Sequence, residues 1–163
     1  MWNGTKFTGD VVKYNLDTNT ISIVKNMSTM SRPNGLAINS GGIIYSSDFD
    51  DHYIRTNIAF YAGRNKLSGY FNGTNLTLDT YFNNPSGLCF DKYDTLYITD
   101  CSNHSIRMIK NGIISTLIGN KQGNTVGTLK DTKLSFPNDV KIGKDGCLYI
   151  SDSGNGCIKK VTF

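Results

Sequence analysis

This chain contains an internal repeat with a period of 52 residues, which limits the folds that it can adopt. Three copies share a Pro-led opening and a centre in which Tyr is followed three residues later by Asp, with no gap in the spacing: Pro33–Ile38, Pro85–Phe90 and Pro137–Ile142, then Ile44–Asp48, Leu96–Asp100 and Leu148–Asp152. Self-similarity at such a period indicates stacked supersecondary units that cannot bury their apolar faces alone.

Each unit has the pattern of short β-strands separated by turn residues. The middle unit predicts strands over 87–91, 95–99, 105–110 and 113–118, with Asn111-Gly112 as a tight hairpin turn. Four antiparallel strands in a unit of about 40 to 50 residues are typical of a propeller blade. No segment has a convincing helical period, so we expect almost no helix.

The fold class predicted is therefore all-β, a single partial β-propeller of about three four-stranded blades spanning 1–163. The segments 11–16 and 20–24 read as the two outer strands of a first, partial blade. The predicted blades follow one another along the chain: part of a blade at 1–30, blades at 31–82 and 83–134, and an incomplete blade at 135–163.

Several segments of the sequence resemble the NHL repeat. Residues 84–88 and 136–140 resemble the opening of that repeat, 96–100 followed by 103–107 resemble its centre, and 116–119 resemble its close. The resemblance extends over about 31–163. It implies a propeller, usually of six blades, that mainly binds proteins or RNA, and it leaves open the lyases and metal-dependent hydrolases found among related propellers.

Two sets of polar residues recur at the repeat spacing. Asp48, Asp100 and Asp152 could form a ring of carboxylates around a cation, but each follows a strand, where a carboxylate accepts backbone N–H groups. His52 and His104 could ligate a metal, but a catalytic zinc needs about three protein ligands and the third unit has Gly in place of His. We expect a structural role for both sets and predict no bound metal and no cofactor.

Recurring aromatic residues also allow two interpretations. Tyr45, Tyr97 and Tyr149 could stack on RNA bases, but each lies between apolar residues, which favours core packing. Tyr70 and Phe71 are unusual because they occur in a linker. They could anchor a partner or fill the groove between blades, and the sequence does not choose between these roles.

The loops between second and third strands and the linkers between blades are expected on one face, which the resemblance implies is the binding face. The candidate binding residues there are Phe49, His52, Arg64, Tyr70, Phe71, Asn103, His104, Lys121 and Asn155.

The composition limits the kinds of partner and the compartment that the sequence favours. The net charge of +4 is mild and the 17 Lys and Arg are dispersed, so a nucleic-acid partner is not favoured. No apolar run approaches the roughly 18 residues of a membrane helix, and no signal peptide is visible. Four cysteines without a C-x-x-C motif are predicted to be free thiols, which favours an intracellular over a secreted setting.

The function expected from these features is a non-enzymatic scaffold that presents propeller loops to a protein partner or to copies of itself. An RNA-binding module and a metal-dependent hydrolase or lyase are the alternatives. About three blades cannot close a ring, so we expect either a homodimer or completion of the ring within a larger complex.

Overall fold

The computed structural model describes residues 11–24, 27, 30–73 and 79–162. Its regular elements are β-strands and two single 3₁₀ turns, Cys101–Asn103 and Ser153–Asn155. The strands are β1 Val12–Asn15, β2 Thr20–Ile23, β3 Pro33–Ile38, β4 Ile44–Asp48, β5 Tyr53–Thr56, β6 Phe60–Gly63, β7 Pro85–Phe90, β8 Leu96–Asp100, β9 Ser105–Lys110, β10 Ile113–Gly119, β11 Pro137–Ile142, β12 Leu148–Asp152 and β13 Cys157–Val161.

The strands form four antiparallel sheets. β1 and β2 make a two-stranded hairpin, β3 to β6 make sheet I, β7 to β10 make sheet II, and β11 to β13 make the three-stranded sheet III. In sheets I and II, neighbours in sequence are neighbours in the sheet, as predicted for propeller blades. The all-β prediction is confirmed, whereas the number of blades stays a prediction.

Local sequence accounts for the turns. Asn111 and Gly112 connect β9 to β10 with φ values of 51° and 75°, the left-handed conformation that a two-residue hairpin turn requires. His104 and Gly156 close the two 3₁₀ turns with φ values of 51° and 62°.

The sheets pack face to face around two apolar clusters. One lies between sheets I and II and includes Ile54, Leu88 and Ile98, and the other lies between sheets II and III and includes Ile106 and Val140. These side chains are shielded from water, which is the main stabilising term for such a stack. Among the described residues, no helix is long and apolar enough to cross a membrane.

The recurring tyrosines belong to this packing. Tyr45, Tyr97 and Tyr149 all lie on the second strands of their sheets, and Tyr45 and Tyr97 are buried. The ring of Tyr45 meets Phe90 of the next sheet edge to face, with the centroids 4.9 Å apart. The predicted core role is therefore confirmed for Tyr45 and Tyr97, while Tyr149 is half-buried.

Candidate binding face at the linker end of the sheets

Strand register places the candidate loops at one end of the sheets. In sheet I, Pro33 pairs with Asp48, Asp48 with Tyr53, and Tyr53 with Gly63, so the turn 49–52 and the linker after Gly63 share that end. Sheet II has the same arrangement. We call this end, with its turns and linkers, the linker end.

The repeated aspartates organise this end. Asp48 accepts hydrogen bonds from the backbone N–H groups of Ser31 and Arg32, at 2.6 and 3.2 Å. Asp100 accepts one from Asn83 at 2.7 Å. The prediction that these carboxylates accept backbone donors is confirmed.

Two of the aspartates also form buried ion pairs that sequence reasoning missed. Arg107 Nη1 lies 2.7 Å from Asp100 Oδ2, and Lys159 Nζ lies 2.7 Å from Asp152 Oδ2. Both carboxylates and Arg107 are fully buried. The signal was available, because Arg55, Arg107 and Lys159 recur at the same 52-residue spacing.

Burial dominates the chemistry of Asp100. Loss of solvent raises the pKa of this carboxyl to about 6, although the Arg107 guanidinium and hydrogen bonds from Asn103 and Asn83 lower it. Asp100 is therefore ionised at neutral pH. The Arg107 guanidinium neutralises this charge inside the fold, as expected for a carboxylate with a structural role.

The two histidines connect successive sheets. Nδ1 of His52 accepts the backbone N–H of Asn84 at 3.1 Å, and Nδ1 of His104 accepts that of Phe136 at 3.1 Å. The His104 ring also meets the Phe136 ring edge to face at 4.4 Å. In the part of the chain that the structure describes, no three His, Cys, Asp or Glu side chains come close enough together to hold a metal ion.

The two candidate asparagines hold the linkers. Asn103 Nδ2 donates to the carbonyl of Gly69 at 2.7 Å and to Asp100 at 2.9 Å. Asn155 Nδ2 does the same with the carbonyl of Gly123, at 2.8 Å, and with Asp152. Their amides are therefore engaged with the chain itself.

Phe49 is also engaged with its surroundings. Its carbonyl accepts a hydrogen bond from Asn84 Nδ2 at 2.9 Å, and the Arg32 guanidinium lies 4.5 Å from its ring centroid. The residue is half-buried. Phe49 thus belongs to the junction between sheets I and II.

The first linker carries an aromatic and cationic patch on its surface. Arg107 Nη2 donates to the carbonyl of Phe71 at 2.9 Å, yet Phe71 itself is 56% exposed. Phe71 pairs with Tyr81 across the linker, and Arg64 Nη1 donates to Tyr81 Oη at 2.8 Å. We call Arg64, Phe71 and Tyr81 the linker patch.

Tyr70 lies beneath this patch. Its ring centroid is 4.7 Å from the Arg107 guanidinium, and its hydroxyl is 2.5 Å from Thr116 Oγ1 of β10. Tyr70 therefore fills space between the linker and sheet II, whereas Phe71 points its exposed surface outward. Tyr70 thus has the groove-filling role, whereas a partner-binding role for Phe71 stays a prediction.

The second linker surrounds a cleft of about 500 Å³ that includes the last candidate residue. Three lysines line it, Lys121, Lys130 and Lys133, together with Asp131. Lys121 and Lys130 are exposed. The cleft has an excess of positive charge.

Comparison with known proteins shows which repeat family and which folds this chain resembles. The NHL repeat family matches residues 82–107, which include β7, β8 and the first half of β9 in sheet II. Searching curated protein sequences gave no match.

Solved structures share the fold at low identity. Auxiliary nutrient-binding proteins from Bacteroides thetaiotaomicron and Bacteroides ovatus align with 96% of this chain, at 19% and 18% identity and TM-scores of 0.79 and 0.81. A gluconolactonase from Xanthomonas campestris aligns with 97% of it, at 14% identity and a TM-score of 0.68. The chain spans 43%, 44% and 52% of these proteins, respectively. Residues 82–107 thus match the NHL repeat, and the described part of the chain has the fold of β-propeller proteins.

Proposed function

We propose that this chain is a non-enzymatic binding element that presents the linker patch to a protein partner. The observation that carries the proposal is the setting of Phe71. Its backbone is fixed by a fully buried arginine, while more than half of the residue faces solvent. A backbone segment that is already ordered in this way loses little conformational entropy when a partner binds.

The composition of the patch supports a protein partner. Aromatic residues and arginine are enriched at the centre of protein interfaces, where a few anchors provide most of the affinity. Phe71 and Tyr81 are paired across the linker, and the Arg64 guanidinium lies 5.6 Å from the Tyr81 ring centroid. The patch is therefore organised before a partner arrives.

The state of the repeated polar residues favours binding over catalysis. A hydrolytic site needs a base, acid or metal ligand that can reach substrate. At the linker end, Nδ1 of both histidines and the carboxylates of Asp100 and Asp152 are used to hold neighbouring segments. The nutrient-binding relatives agree with a binding role, while the gluconolactonase shows that this fold also supports catalysis in other proteins.

The cleft in the second linker supports a second candidate function, recognition of an anionic ligand such as RNA. Lys121, Lys130 and Lys133 could neutralise phosphates, although Asp131 reduces the local charge. Binding of single-stranded RNA at this cleft would weaken steeply with added salt and on replacement of Lys121 and Lys130 by Glu. Binding through the linker patch would respond weakly to both changes.

A pull-down with matched variants tests the main proposal. Immobilised wild-type chain, Phe71→Ala and Tyr93→Ala would be exposed to lysate of the source organism, and the retained proteins quantified by mass spectrometry. Tyr93 is also an exposed aromatic residue, but it lies in the turn at the opposite end of sheet II.

We expect a protein that wild type and Tyr93→Ala retain and Phe71→Ala loses, followed by at least tenfold weaker binding of that purified protein to Phe71→Ala. Identical retention by all three chains would contradict the proposal.

A further inference from the structure

At the end of the sheets opposite the linker end, the first two strands of sheets I, II and III are joined by turns of the same backbone form. These turns are 39–42, 91–94 and 143–146. In each, the N–H group of the fourth residue donates to the carbonyl of the first. The fourth residue has a positive φ, 76° in Gly42, 59° in Asp94 and 76° in Gly146. Because the backbones agree, the side chains determine how neighbouring turns meet.

Between sheets I and II, these turns are joined by hydrogen bonds. The N–H group of Ser40 donates to one carboxylate oxygen of Asp94 at 2.9 Å, and the Ser40 hydroxyl donates to the other. In the adjoining strands, the Tyr45 ring packs edge to face on Phe90. This junction is therefore closed by a polar contact and filled by aromatic packing.

Between sheets II and III, the repeat has different residues at the same positions. Lys92 and Gly146 occupy the positions of the serine and the aspartate, so the side-chain hydrogen bond of the first junction cannot form here. Ile142 takes the place of the phenylalanine and has a smaller side chain. This junction is open at its end, and the opening is a cleft of about 650 Å³.

The lining of this cleft combines apolar and aromatic surface with positive charge. We call it the turn cleft, and its lining includes Lys92, Tyr93, Tyr97, Lys110, Ile142 and Lys144. Tyr97 is buried and Ile142 is half-buried, so they form the floor, whereas Tyr93 is 73% exposed. All three lysines are exposed. The volume is in the range of pockets that hold small molecules.

The carboxylates of the turn cleft are engaged, whereas its lysines are available. Asp91 accepts the backbone N–H groups of two residues that follow it, both at 2.8 Å. Asp145 lies 2.9 Å from Lys160 Nζ, which is outside the lining. Within the described ranges of the chain, neither Lys110 nor Lys144 forms an ion pair. The cleft therefore keeps an excess of positive charge.

Tyr93 is the aromatic group that this charge accompanies. Its counterpart in the first turn is Gly41, so the exposed ring is particular to the second turn. The ammonium group of Lys92 lies 4.9 Å from the centroid of this ring. A ring and a cation are thus already placed together at the mouth of the cleft.

We propose that the turn cleft binds a small organic anion with a planar ring, of the class of aromatic carboxylates. The ring of the ligand stacks on Tyr93 above the apolar floor, and the lysine ammonium groups pair with its carboxylate. An anion without a ring would leave the apolar surface unused, and a neutral ring would leave the lysines unpaired. The turn cleft and the linker patch lie at opposite ends of the sheets, so this proposal does not depend on the proposed function.

Isothermal titration calorimetry with three matched probes tests the class of ligand. The probes are cinnamate, its neutral analogue cinnamamide and the non-aromatic cyclohexylpropionate. Wild type should bind cinnamate at least about tenfold more tightly than either of the others, because cinnamate alone combines the planar ring with the charge. Absence of saturable cinnamate binding, or equal affinity for one of the other two probes, would overturn the proposal.

Variants of exposed residues test the position of the site. Tyr93→Ala and the double variant Lys110→Ala, Lys144→Ala should each weaken cinnamate binding by about tenfold or more, with an unchanged midpoint of thermal denaturation. Tyr14→Ala and Lys13→Ala are the matched controls, because they remove an exposed tyrosine and an exposed lysine outside the cleft. An equal loss in the controls, or wild-type affinity in Tyr93→Ala, would contradict the assignment.

A variant that rebuilds the closed junction gives the sharpest result. Lys92→Ser with Gly146→Asn restores a serine opposite a side-chain acceptor, and asparagine tolerates the positive φ of position 146 and adds no charge. This variant should lose cinnamate binding although Tyr93 remains. Lys92→Ser alone removes the same cation without closing the cleft, and it should retain more affinity. Equal affinities of these two variants would overturn the proposal.

Discussion

The Asp100–Arg107 ion pair links the core of sheet II to the surface of the first linker. Arg107 donates to Asp100, to the carbonyl of Tyr81 at 3.2 Å, to that of Phe71 and to Asn72 Oδ1, so one buried cation satisfies four acceptors. A charge in such a place is tolerated because every partner is present. The same network that stabilises the fold thus positions the exposed Phe71.

Removing one member of this pair should be costly. Arg107→Met leaves the Asp100 carboxylate buried without its cation, and we expect a loss of about 3–5 kcal/mol in the free energy of unfolding. Urea denaturation would measure it. Arg32→Met is the control, because the Arg32–Asp50 pair is exposed and 3.6 Å apart and should contribute less than about 1 kcal/mol. Equal effects of the two substitutions would refute the network described above.

His104 should make stability depend on pH. Burial lowers the pKa of His104 below its ordinary 6.5, although Asp152 opposes the shift. The folded protein then binds this proton less tightly than the unfolded chain, so the contribution of neutral His104 is present above pH 6.5 and is lost as the pH falls. Protonation would also remove the acceptor for the Phe136 N–H.

Urea denaturation at pH 7.5 and 5.5 tests this expectation. Wild type should lose more stability on acidification than His104→Asn, which tolerates the positive φ and does not titrate. Asp100 is present in both proteins, so its own titration cancels in the comparison. Equal pH dependence would assign the effect to another group.

At the scale of elements, the close approach of first strands sets the spacing of the stack. A Cβ at Gly35 would overlap the carbonyl oxygen of Ser86, and one at Gly87 would overlap Asp139. The polar pair Ser47 Oγ and Ser86 O, 2.6 Å apart, spans the same junction. Positions 35 and 87 therefore require glycine, because a larger residue would collide with the neighbouring sheet.

Gly87→Ala should separate sheets II and III. The new methyl group meets backbone, which must shift, and overpacking of this kind typically costs about 1–3 kcal/mol. Gly127→Ala is a suitable control, because its Cβ would make only an ordinary 3.4 Å contact with Asp131. Thermal denaturation should show a lower midpoint for Gly87→Ala alone, and a midpoint equal to that of wild type would show that the strands are less tightly packed than described.

The strands could be predicted because their residues recur at a constant spacing, whereas the linkers share no repeated pattern. Strand order, the Asn111-Gly112 turn and the carboxylates that accept backbone N–H groups all follow from residues at constant spacing. The Phe71–Tyr81 pairing lies in a linker whose length is not shared with the next one, so no repeat could reveal it. The position of Arg107 in the repeat could be predicted. Its burial could not, because an arginine side chain usually faces solvent.

At the scale of the whole molecule, sheet II is the centre of a stack whose stability comes from neighbouring pairs. It contributes to both apolar clusters, while sheets I and III each contribute to one. In such linear arrays stability is close to a sum of unit and interface terms. The central sheet should therefore be the last to open.

The rates at which the four cysteines react measure the order in which the sheets open. All four are free thiols, as predicted; Cys157 is exposed, Cys147 is half-buried, and Cys89 and Cys101 are buried in sheet II and the turn after β8. Burial raises the pKa of Cys89 to about 12 and also raises that of Cys101, so little reactive thiolate is present at either site.

Timed alkylation with mass spectrometry should modify Cys157 first and Cys147 next. Cys89 and Cys101 should react together, at the rate of global unfolding, because both depend on sheet II. Early modification of Cys89 alone would mean that sheet III detaches while the rest of the stack remains folded.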